Sequence, residues 1–259
     1  MKQVLYAWHG YLFNAQRKKM YGLGGDGKCP LCRTTPQGPT TDSGPHILGG
    51  CTNPVMHGMY ISRHNEAVRT IADCLHEGQY GGGVMVMDAG AEATLPEYCV
   101  GSRPPPWLFS RQTAARYDIS KMRPDILFIP NLPKRYATRR AEGYGAPLDK
   151  ARYPIYLLEV GYTSDLNHDP KQTEKSHQHS RLKEALEADG WIVHYTPAEV
   201  VVLGTTGTVP SNMKRLLQKL GAAAAQATRC CTTLHRQAIA RAGAIIKTRR
   251  VLEGNMGSG

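Results

Sequence analysis

Cys29-Pro-Leu-Cys32, followed by His46-Ile-Leu-Gly-Gly-Cys51, sets four soft ligands at metal-binding spacing. Two thiols two residues apart can clamp one side of a tetrahedral ion, and a His-x4-Cys pair can close the other. Pro36, Gly38, Pro39, Gly44 and Pro45 lie between the pairs and rule out a helix or a central strand there, so the segment reads as a loop that doubles back. A redox Cys-x-x-Cys or plain buried cysteines would use some of the same residues. Neither needs the second pair or so much Gly and Pro, so Cys29, Cys32, His46 and Cys51 point to a structural zinc ion.

A second group concerns acids. Glu159 lies inside the apolar run Leu157-Leu158-Glu159-Val160, and Asp125 opens the run Ile126-Leu127-Phe128-Ile129. An acid inside such a strand is costly to bury unless it has a partner. One partner is a hard cation: on adjacent strands, Asp125 and Glu159 could hold one Mg²⁺ or Mn²⁺ and polarise a phosphodiester. The other is a buried Lys or Arg in a structural ion pair. Lys171, Lys175 and His179 recur at four-residue intervals after Glu159 and so share a helix face. Lys175 is the candidate to hold an attacking water; Lys171 and His179 suit backbone phosphate as well as catalysis.

The elements that must position these groups follow from pattern. Residues 1–25 read as a helical lead-in containing Trp8, Tyr11, Leu12 and Ala15 at near-helical spacing. A helix is predicted over about 62–77, stopped by Gly78, and a buried strand over 84–87. Strands follow at 123–130, 155–163, 191–195 and 199–203, that at 155–163 apolar on both faces and therefore central. Asp169-Pro170 predicts a helix running to about 189. Residues 131–152 read as an exposed basic excursion, and from Ser211 the chain is helical again, with a break near Cys230 and a disordered end. The order gives an α/β core with a zinc module before it and a basic helical tail after it.

The net charge is +11 with a pI near 9.4, and between Ser211 and Val251 nine Lys and Arg residues face no acid. Nucleic acid is the natural partner of such a surplus, a solvated basic helix the alternative. No run of eighteen apolar residues occurs and no signal peptide is expected, so no membrane partner is predicted. Seven cysteines, an odd number, fit a reducing compartment, cytosol or nucleus.

Taken together, Cys-Pro-Leu-Cys, His-Ile-Leu-Gly-Gly-Cys, Arg63-His64-Asn65 and Arg123-Pro124-Asp125 resemble the C-terminal part of site-specific non-LTR retrotransposon proteins. The resemblance covers about residues 1–205. It implies a CCHC zinc knuckle at 26–62, a PD-(D/E)xK restriction-endonuclease-like core at 63–205 (a mixed sheet flanked by helices) and a basic tail at 206–259. It makes Asp125 and Glu159 the metal-binding acids of a DNA endonuclease that leaves a 3′ hydroxyl for reverse transcription. The family's usual lysine position is Gly161 here, which implies that Lys175 has taken over from the next helix. Arg63 and His64, at the predicted start of a helix, and Arg111, Arg116 and Arg123 become candidate phosphate contacts, with Glu66 and Asp88 weaker candidate metal ligands. Implied partners are DNA, the element's RNA and a reverse transcriptase domain in this or another chain; no small-molecule substrate is implied, and the site of action is the nucleus. No polymerase motif is present, so the chain is expected to be a fragment, one product of a split reading frame or a descendant that lost its polymerase. A binding protein that no longer cuts is the alternative.

Overall fold

The computed structural model describes residues 4, 12–33, 36, 38, 40–90, 94–132, 149–164 and 168–256. Trp8 and Tyr11, most of the predicted basic excursion and the final three residues lie outside the described residues. In chain order the helices are α1 (Ala15–Met20), α2 (Pro54–His76), α3 (Arg111–Tyr117), α4 (His168–Ser176), α5 (Ser180–Ala188), α6 (Met213–Lys219) and α7 (Ala224–Met256). The strands are β1 (Val84–Met87), β2 (Ile126–Ile129), β3 (Ile155–Thr163), β4 (Val193–His194) and β5 (Val200–Gly204).

The sheet is mixed and β3 is its hub. β1 pairs antiparallel with β2, and β2 antiparallel with β3. β4 runs parallel to the first two residues of β3, and β5 parallel to its last five, from Glu159 to Thr163. Alternation divides the apolar side chains between two faces. Met85, Met87, Ile126, Phe128, Leu158 and Val160 pack with Ile71 and Leu75 of α2, Leu217 of α6 and Leu234 of α7. Val84, Val86, Leu127, Ile129, Ile155 and Leu157 pack with Leu182 and Leu186 of α5, together with Trp107 and Trp191. Both faces are covered, which is why these strands read as unbroken apolar runs. No described helix is long and apolar enough to cross a membrane.

The long helix α2 starts earlier than its apolar pattern predicts. Asn53 caps it by accepting from the Val55 and Met56 amides, and Pro54 fills the first helical position, where its missing N–H costs nothing. The exit turn needs Gly81: a Cβ there would fall 1.6 Å from the His76 carbonyl oxygen.

Three expectations are corrected. The helix expected over 169–189 is two helices, α4 and α5, parted at 177–179. No break occurs at Cys230; α7 runs through it, and the interruption lies at 220–223. The segment expected as a basic tail, 206–259, is no appendage over its described residues, because α7 packs on α2 and on the cysteine loop. Cys230 and Leu234 pack with α2, while Ala242, Ile245 and Ile246 join Leu31, Ile47 and Leu48 in a third core around the cysteine loop.

Candidate functional site

The four soft ligands converge. Cys29, extended, precedes a 3-10 segment, Pro30–Cys32, and His46 opens a π-type turn, His46–Gly50, that delivers Cys51. All four donor atoms lie within 4.8 Å of one another and are buried. A tetrahedral zinc with Zn–S near 2.3 Å needs sulfurs about 3.8 Å apart. Cys29–Cys51 is 3.9 Å, Cys32–Cys51 3.5 Å, and Cys32 Sγ lies 3.4 Å from His46 Nε2. The thiols are unbridged and too far apart for disulfides. The set can therefore hold a zinc ion. Around it, the Arg249 guanidinium donates to Cys29 Sγ (3.3 Å) and to Asp42 Oδ1 (2.7 Å), and the Thr52 hydroxyl to Cys32 Sγ (3.5 Å). Hydrogen bonding from Cys51, helped by His46 and Arg249, holds Cys29 well below the ordinary thiol range against the cost of burial.

The acids converge as well. Ile126 faces Leu158 in the β2–β3 register, so one step further Asp125 stands opposite Glu159 on the same face. Asp125 Oδ2 accepts from the Val160 amide (2.7 Å) and from His64 Nε2 (3.2 Å). Among the described residues Asp125 Oδ1 takes no hydrogen bond. Glu159 is fully buried, with Lys175 on Oε1 and His179 Nε2 2.7 Å from Oε2. Burial pushes Asp125 above the usual carboxylate range, and nearby Glu159 adds to this against His64 and Val160. Burial acts the same way on Glu159, but His179 and Lys175 outweigh it and hold Glu159 low.

The Lys175 stem runs beside Gly161. A Cβ at position 161 would meet Lys175 Cε at 3.5 Å and Cγ at 3.7 Å, so the lysine stem lies over the glycine on its way to Glu159. The break between α4 and α5 is braced by Tyr195, which sequence reading missed. Its hydroxyl donates to the Lys175 carbonyl and accepts from the His179 amide. Only the tyrosine's place in an apolar strand was visible in sequence; the turn it holds was not.

The remaining candidates separate. Arg63 is a correction: it lies well inside α2 rather than at a helix start, and it is 3% exposed. It donates to the Leu48 carbonyl (2.8 Å), its guanidinium lies 4.2 Å from the Tyr162 ring centroid, and burial lowers its pKa. A residue so enclosed braces the cysteine loop against β3 and does not meet phosphate. His179 is likewise buried on Glu159 rather than offered to a backbone. Lys171 pairs with Glu174 (2.6 Å), and Glu66 with Arg241 (2.6 Å). Arg111 and Arg116 are exposed on α3. Arg123 lies 3.9 Å from Asp88 and lines a cleft of about 660 Å³ with Tyr117, Lys121, His177, His179 and Arg181. Asp118 also lines it and pairs with Lys121 (2.8 Å), and the cleft adjoins the acids through His179.

His64 donates from Nε2 to Asp125 and to the Val160 carbonyl (3.2 Å), and its Nδ1 faces Asn65 Oδ1 at 3.3 Å. Acceptors at both nitrogens favour imidazolium. Burial lowers the His64 pKa, but Asp125 and Asn65 raise it further. A raised folded-state pKa means stability that is full below the unfolded value, about 6.5, and lost as pH rises through the folded one. The stability of wild type over His64→Gln, from urea unfolding, should thus be largest near pH 6 and shrink toward pH 9. A difference independent of pH would refute a charged His64.

A scan against protein-family models gives no match for the chain, and a search of curated proteins gives none. The fold and the two clusters define the class: a mixed α/β protein, sheet flanked by helices, with a buried Cys3His site able to bind zinc.

Proposed function

We propose that the chain is a divalent-metal-dependent DNA endonuclease that nicks its target, as in target-primed retrotransposition, with Asp125 and Glu159 as metal ligands and Lys175 as the assisting cation. One observation carries this reading: Lys175 passes beside Gly161 and reaches Glu159, so a lysine from the next helix meets the acid beside the position where the family pattern expects its lysine.

The residues suit one hard cation held by few protein oxygens and completed by water. Among the described residues Asp125 Oδ1 takes no hydrogen bond, and Glu159 can contribute an oxygen by loosening Lys175 or His179. A bound cation would supply Lewis acidity at the scissile phosphate. The protein's own part is to orient. His64 and the Val160 amide fix Asp125, Tyr195 fixes the Lys175 turn, and the Lys175 ammonium can donate to the attacking water or a phosphate oxygen. Arg123 and Arg181 in the adjoining cleft offer the backbone two cations, while Lys121 there pairs with Asp118 (2.8 Å). On this reading the cysteine loop is a zinc knuckle, the partners are DNA, element RNA and a reverse transcriptase, and the site of action is the nucleus.

A second reading, a binding protein that no longer cuts, draws on the same contacts: both Glu159 oxygens already have cationic partners. Nicking of supercoiled plasmid with Mg²⁺ separates the two. Wild type should nick, and Asp125→Ala, Glu159→Ala and Lys175→Ala should each lose about a hundredfold or more. Gly161→Lys placed in Lys175→Ala should restore part of the activity. Inert wild type, or acid variants that nick normally, would remove the nuclease reading.

A further inference from the structure

Helix α1 buries none of its residues. So short a helix is not stable alone and is normally ordered by packing one face. Here its start is anchored instead: Leu12 is 2% exposed, Asn14 accepts from the Arg17 amide, and the Ala15 amide donates to Asp42 Oδ2 (2.7 Å). Asp42 is also the carboxylate that holds Arg249 beside Cys29, so α1 is fixed to the cysteine loop.

What α1 presents to solvent is unusual. Phe13 is 53% exposed and Tyr21 59%, with Met20 and Leu23 more open still. Cations are interleaved with the rings: Lys18 Nζ lies 5.7 Å from the Phe13 centroid, and Arg17 donates to the Tyr21 hydroxyl (2.9 Å). From Leu12 to Gly25 there is no acid, and Asp26 is held by Arg33 (2.6 Å). Phe13 precedes the Asn14 cap and Tyr21 follows the last turn, so the rings flank the two ends of the helix.

Exposed aromatics flanked by cations are the chemistry of a stacking platform: rings take base faces and cations take phosphates. A duplex keeps its bases in its own stack and can use only the cations. We propose that α1 with its flanking Phe13 and Tyr21 is a binding site for single-stranded nucleic acid, separate from the acidic site. It stands whether or not the acids cut.

The test uses the full chain without Mg²⁺ and follows fluorescence anisotropy of labelled single-stranded DNA, single-stranded RNA and duplex DNA. Phe13→Ala/Tyr21→Ala should weaken single-strand binding about tenfold or more, leaving duplex binding and zinc content unchanged. Lys18→Gln/Lys19→Gln should reduce the salt slope for single strands by about 1.4. A Phe13/Tyr21 variant that binds single strands like wild type, or loses duplex binding equally, overturns the site. So does a loss confined to phosphatidylserine vesicles, which would make the surface a lipid contact. Plasmid nicking is measured separately, so this site and the nuclease reading can fail independently.

Discussion

Cys32→Ser is expected to release zinc and to unfold the far end of α7 along with the cysteine loop. Loop and helix share one small core: Leu31, Ile47 and Leu48 pack with Ala242, Ile245 and Ile246. Arg249, 3% exposed, donates to Cys29 and Asp42, so an opened loop leaves a buried guanidinium without those acceptors. Structural zinc contributes on the order of 10 kcal/mol to small sites, more than a core of this size holds by itself. Hydrogen exchange should show lost protection at 242–250 and retained protection in β2 and β3, with metal analysis falling from one zinc per chain. Zinc retained by Cys32→Ser, or zinc lost with 242–250 still protected, would break the coupling.

The second large effect concerns stability at the acid pair. Lys175→Met should destabilise the fold by about 3 kcal/mol, because removing one partner strands a buried charge. Glu159→Leu/Lys175→Met should recover most of that, since apolar replacement of a buried pair is often neutral, apart from about 1 kcal/mol for the partner His179 loses. Glu159 is held low, so its contribution is present above the unfolded value near 4.3 and is lost as pH falls through the folded one. Wild type should therefore lose stability toward acid faster than the double variant does. Equal stability of all three proteins from pH 3 to 7 would show that the pair does not hold the fold. Activity is the contrasting readout: under the nuclease reading the double variant stays inert although its stability returns.

Sequence pattern located every strand within about three residues of its ends, because each is an apolar run bounded by polar or turn residues. The Cys29, Cys32, His46 and Cys51 set was legible from spacing, and Asp125 and Glu159 from the cost of an acid beside or inside an apolar run. What escaped depends on contacts distant in sequence. The break at 177–179 carries neither Gly nor Pro; Tyr195 stabilises it from another element. Arg63 looked like a surface cation because its solvation by Leu48 and Tyr162 arises only in the folded chain. Arg249 read as one more charge of a basic tail, whereas it lies 220 residues from the cysteine it contacts.

That last span bears on how the protein is made. Cys29 leaves the ribosome 220 residues before Arg249, which lies on the helix that closes the loop's core. Contacts of such sequence separation form late, after the intervening chain has lost its freedom. Throughout synthesis the nascent loop must hold its thiols without the arginine and with Leu31, Ile47 and Leu48 uncovered. The period of greatest exposure to oxidation and aggregation is thus set by translation time rather than by the stability of the finished molecule.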